Sequence, residues 1–286
     1  MLPAILTTIC FAFSAVCGLR LSRLLGGISA NFWRLLVAVL ILSALTLVLF
    51  PHSLRRETFG WLFVSGVIGF GIGDVGLFLA YPHLGSRLTL LVLMCFGCFF
   101  SAAGDWIILG TRLNLAEGMS VTVILAGVIL ALHRPHEPVR LNRGVFFAVL
   151  AGWGQGFGAV LSRIAQNSAE KHGFDVNGIS QAAQRAVGGL LIGGLVYAAL
   201  RATQKRSLRT AMENRLPLPE AVGAKGGAAT KPPARRKKHV GFWLAGAALF
   251  GPVIGVSCMQ WALEVLKSSA LVVAITATSR EGWWRL

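Results

Sequence analysis

NFWRLLVAVLILSALTLVLF, residues 31–50, holds one charge, Arg34, and none after it. An α-helix needs about 20 such residues to cross roughly 30 Å of hydrocarbon. The stretch therefore reads as a transmembrane helix. Outward from it the same pattern recurs over approximately 2–20, 59–80, 88–109, 116–132, 144–166, 179–200 and 241–263. A ninth apolar run begins near Ser268 and ends by Ala277, only about twelve residues, too short to cross unaided. The expected fold is all-α: a polytopic helical membrane protein with eight full transmembrane helices and a partial ninth. A mean hydropathy of +0.68 with 13% charged residues does not suit a soluble globule. Leu2–Gly18 lacks a basic leading region and reads as the first helix rather than a cleaved signal.

The net charge of +16 could suggest nucleic acid, but its placement points to membrane lipids instead. Eleven of the 27 basic residues lie between Arg201 and Lys238. Basic clusters beside a span stay cytoplasmic and attract anionic lipid. The segment 201–240 is rich in proline and glycine, and disorder is expected there. The connections that hold Arg134, Arg140, Arg143 and this segment share a parity that puts the N-terminus outside. Gly282-Trp-Trp-Arg285 reads as an interfacial ending.

A weak internal echo is present. Gly60-Trp-Leu-Phe with Gly66, Gly69 and Gly73 returns 182 residues later as Phe242-Trp-Leu-Ala with Ala248, Gly251 and Gly255. Arg34 and Arg185 open the second and seventh spans in similar fashion, and Ser22-Arg23 and Ser162-Arg163 each end the first span of a half. Such repetition is the mark of a duplicated carrier. Halves of five spans must lie inverted across the membrane. The expected domains are 1–133 and 134–286, the second lacking its last helix and interrupted by the basic segment 201–240.

Asp74, deep in the third span between Gly73 and Gly76, is the most informative residue. A carboxylate at membrane depth is costly and faces a partner, a water path or a substrate. Arg34 and Arg185 can offer fixed cations, or else snorkel to a surface. Gln155, Gln181 and Gln184 are amides in apolar helices that need partners, and Trp153 and Phe157 beside Gln155 suggest an aromatic lining. The candidate substrate-binding set is thus Arg34, Asp74, Gln155, Gln181, Gln184 and Arg185. Asp105 and Glu264, near helix ends, read as interfacial, and the glycine steps from Gly152 to Gly158 read as packing surfaces. Cys95-Phe-Gly-Cys98 sits among apolar neighbours and reads as packing rather than redox. The six histidines are scattered, so no metal or other cofactor is expected, and no nucleophile–histidine–carboxylate set suggests an enzyme. No nucleotide-binding loop is visible to power transport.

These residues resemble the drug/metabolite transporter superfamily, in its ten-helix group with two EamA-type domains. The likeness lies in Asn31-Phe-Trp-Arg34, Gly66–Tyr81, Gly104–Leu113, Gly118–Leu130 and the tract from Gly251 through Gln260 to Ala270. It departs at Gly110-Thr-Arg112, where the family usually has Gly-Glu-Arg, and at Met94-Cys95, where a proline is common. The resemblance implies a secondary carrier in the bacterial inner membrane, exporting amino acids or other small metabolites by alternating access. Proton or ion coupling would drive it. It also implies a tenth helix, so the alternative expectation is an inactive or non-transporting derivative truncated at its C-terminus. Substrate, coupling ion and oligomeric state are not legible.

Overall fold

The computed structural model describes residues 2–111, 143–213 and 239–277, with residues 115, 118, 119, 122, 123 and 126 between them. The expected span over 116–132 therefore lies largely outside the described residues, as do 214–238 and the chain beyond Ala277. Nine α-helices are described apart from isolated residues of 112–142: α1 (Leu2–Leu25), α2 (Gly27–Leu49), α3 (Arg56–Gly66), α4 (Asp74–Leu109) and α5 (Arg143–Lys171). They continue with α6 (Gly178–Glu213), α7 (Val240–Ala248), α8 (Ile254–Leu266) and α9 (Ser269–Ala277). No strand is present among the described residues. Among the described residues, six helical stretches are long and apolar enough to cross a membrane. The molecule is an all-α, multi-pass membrane protein.

One of the six is a 54-residue stretch, Arg56–Leu109, which absorbs two of the expected spans. It is broken at Gly85, whose φ of 71° and ψ of 173° fall outside helical space. Only glycine adopts that conformation cheaply. Gly26, at φ 81°, makes the equally abrupt step from α1 to α2.

Two helices widen into π turns. Val67–Gly73 joins α3 to α4, and Leu249–Val253 joins α7 to α8. Val67 and Leu249 are 182 positions apart, the spacing of the sequence echo. The causes differ. The first segment holds Gly69, Gly71 and Gly73, which tolerate the looser turn. The second holds Pro252, whose missing N–H and bulky ring would break an ordinary α turn.

Helix α6 corrects one expectation. It runs through Glu213, whereas the polar segment from residue 201 was expected to be disordered. Residues 201–213 contain no glycine or proline, and their Arg, Lys, Ala and Glu are good helix formers. The Arg201 Nε donates to the Tyr197 hydroxyl at 2.9 Å, one turn back, and its guanidinium lies over that ring.

Glycines set the helix spacing, because lipid supplies no hydrophobic drive between helices and close packing must replace it. In α5 they alternate in duty. Gly152 and Gly156 face α4: added Cβ atoms would lie 2.8 Å from the Leu93 carbonyl and 2.6 Å from that of Gly97. Gly154 and Gly158 face the first π segment, with Gly154 against Gly73 and Gly158 against Gly69. The expected packing role of this series is what the structure displays. Cys98 is buried and its Sγ points at the Ala270 carbonyl, also as packing.

Candidate substrate site

Arg34 is 5% exposed and Asp74 8%. The Arg34 guanidinium donates to the Asp74 carboxylate in a salt bridge and to Asn31 Oδ1 at 3.2 Å. Its Cζ lies 4.9 Å from the centre of the Phe78 ring. Helix α2 brings Asn31 and Arg34 to one face, three residues apart, and α4 opens with Asp74 just after the π turn. Neither arginine snorkels: Arg185 is fully buried.

Arg34 and Asp74 line a cavity of about 60 Å³. Gln155 from α5 joins them, donating its Nε2 toward Met259 Sδ at 3.4 Å. Both π segments touch this cavity, through Phe70 and Gly73 on one side and Gly251 and Pro252 on the other. Its aromatic walls are Phe11 and Phe70 rather than Trp153 and Phe157. The reason is helical phase: residues two away from Gln155 point about 200° around α5. Trp153 and Phe157 pack against each other instead, their rings tilted and 5.5 Å apart.

Arg185 stands just behind this wall. Its Cζ is 5.1 Å from the centre of the Phe70 ring, and none of its three guanidinium nitrogens has a hydrogen-bond partner among the described residues. Each arginine lies against a glycine of a π segment. A Cβ on Gly251 would lie 3.0 Å from Arg34 Nη1, and one on Gly69 would lie 3.0 Å from Arg185 Nη2. Gly69 and Gly251 are themselves 182 positions apart. Arg34 thus reaches the second π segment and Arg185 the first. Their helices begin alike too, Gly27-Ile-Ser in α2 and Gly178-Ile-Ser in α6, a match that inspection of the sequence could have caught.

Gln181 and Gln184 do not line the cavity. Gln181 donates to the Val176 carbonyl at 2.6 Å and accepts from Gln166 at 2.9 Å, fastening the start of α6. Gln184 Nε2 points to the Ser53 carbonyl at 3.5 Å.

Asp105, near the end of α4, is 3% exposed and packed inside the protein. Its carboxylate pairs with Arg163 at 2.8 Å and accepts from the Ser269 backbone N–H at 3.0 Å and hydroxyl at 2.9 Å. A carboxylate facing the first N–H groups of α9 is favoured by the helix dipole. The signal was the isolated acidic residue in an apolar helix, the same one that flagged Asp74. Glu264 is exposed. It borders a larger cavity of about 780 Å³ whose walls are mostly apolar and whose other carboxylate, Asp175, is also exposed. Size alone would favour that cavity, but no buried polar constellation selects a solute there. Among the described residues no group of three or more metal-ligating side chains converges.

Residues 1–133 match the model of the EamA-like transporter family. That family is one of transporters, not enzymes. A solved crystal structure, described only as that of a protein, aligns with 96% of this chain and 84% of its own. Its TM-score is 0.56 at 15% identity, a likeness of fold. No curated protein matches the chain.

Proposed function

We propose that the protein is a secondary carrier in the bacterial inner membrane that exports a small polar metabolite, such as an amino acid, by alternating access. The supporting observation is the cavity between the two π segments, with the Arg34–Asp74 pair and Gln155 in its wall. Buried ionisable groups in a membrane bundle mark solute paths. Widened or broken helices at a central cavity are where carriers place their sites.

In this reading residues 1–133 and 134–286 are inverted repeats, and the 54-residue stretch crosses the membrane twice, turning at Gly85. A cavity of about 60 Å³ holds a water or two and is far smaller than a metabolite pocket of ~300 Å³ or more. In this reading a solute enters when the halves rock apart about the π segments. Proton or ion coupling through Asp74 fits the same geometry.

Flux in proteoliposomes across a panel of amino acids and small metabolites tests the proposal. Arg34→Gln and Asp74→Asn are expected to cut flux at least tenfold per mole of folded protein, the loss of about one charged hydrogen bond. Wild-type rates from both variants would refute the site, and no flux of any solute by the parent would refute the carrier.

A further inference from the structure

Among the described residues, five buried side chains carry formal charge: Arg34, Asp74, Asp105, Arg163 and Arg185. Arg34 pairs with Asp74 and Arg163 with Asp105, which leaves Arg185 over. A fully buried guanidinium with no hydrogen-bonding partner is costly, and the face of Phe70 offsets only part of that cost. The twofold match of the halves shows what is different here. Arg185 corresponds to Arg34 in helices that begin alike 151 positions apart, and Gly69 corresponds to Gly251, 182 apart. By the 182-residue spacing of the glycines the counterpart of Asp74 is Val256. Val256 lines the central cavity and belongs to the packed cluster that includes Phe70 and Ala182, Ala183 and Ala186 of α6. The second half thus keeps the cation and lacks its carboxylate.

The geometry points to an anionic solute whose charged head engages Arg185 at the Val256 wall of the cavity, where the first half places Asp74. Arg34 is neutralised within the protein, so the central site carries one net positive charge. A carboxylate or phosphate head is favoured there, an ammonium head is repelled, and Gln155 supplies an amide for a second polar group. The inference rests on the carrier reading above.

Melting of the purified protein in detergent tests it with acetate, succinate, glutamate and inorganic phosphate. 1,4-Butanediol and putrescine serve as the neutral and cationic counterparts of succinate. At least one anion should raise the melting temperature, and the diol and diamine should not. Arg185→Gln should weaken that anion at least about tenfold, with Arg185→Lys keeping part of the affinity. Val256→Asp retains the arginine and gives it an internal partner, so it should abolish the anion's effect even if Arg185→Gln fails to fold. No shift with any of the four anions, tighter binding of putrescine, or an anion affinity untouched by Val256→Asp would overturn the inference. Anion binding without flux in proteoliposomes would instead overturn the carrier reading alone. Flux of putrescine or the diol insensitive to Val256→Asp would overturn the anion inference and leave the carrier standing.

Discussion

At the residue scale, Arg34 and Asp74 are bound by mutual need. In a low-dielectric interior each charge is tolerable because the other is present. Removing one partner leaves an unpaired charge, whereas removing both leaves a neutral gap. Asp74→Asn is therefore expected to destabilise the protein by about 3–5 kcal/mol. The double variant Arg34→Gln/Asp74→Asn should recover a large part of that, as read from unfolding in mixed micelles. A double variant no more stable than Asp74→Asn would show that the pair is not energetically coupled. The sequence flagged Asp74 and Arg34 separately, because a charge in an apolar run is conspicuous by itself. It did not show that they meet: they lie 40 positions apart, and the π turn just before Asp74 sets the carboxylate's direction. Gln181 and Gln184 were equally conspicuous and turned out to anchor the start of α6, since any buried amide needs a partner whether or not a solute is near.

At the scale of elements, the contact of α5 with its neighbours depends on atoms that are missing from its glycines. A Cβ on Gly154 would lie 2.7 Å from the Gly73 Cα, with backbone on both sides and no flexible tip to yield. Gly154→Ala should force α5 away from the first π segment and sharply lower the yield of folded protein. Gly194→Ala, whose Cβ would meet only the Phe32 ring at 3.7 Å, should be tolerated. Equal yields, measured by size-exclusion chromatography in detergent, would contradict the packing account. The spacing of these glycines made a packing surface legible in advance. The π turns were not legible, because a widened turn has no hydrophobic period of its own. Pro252 and the Gly69–Gly71–Gly73 series were the only local hints.

At the scale of the whole molecule, α2 packs against α6, the helices that begin with matching Gly-Ile-Ser and carry the two arginines, and α4 packs against α5. An inverted repeat places such partners around a shared centre. The positive-inside rule predicts a cytoplasmic side for the basic residues beyond Arg201. Tags at the N-terminus and within the 201–240 segment should be labelled from opposite sides of the membrane, with the basic segment cytoplasmic. Labelling of that segment from the periplasm would reverse the topology.

Hydrophobic length by itself determined that the chain is a multi-pass helical membrane protein, since lipid tolerates no other open backbone arrangement. Composition also marked the few charges that must be sheltered. Only tertiary structure decided which of them neutralise each other. Charge pairing depends on the approach of helices remote in sequence, and that approach is set by glycine contacts and π turns. It is this packing that sets Arg185 beside Phe70 with no hydrogen-bond partner among the described residues.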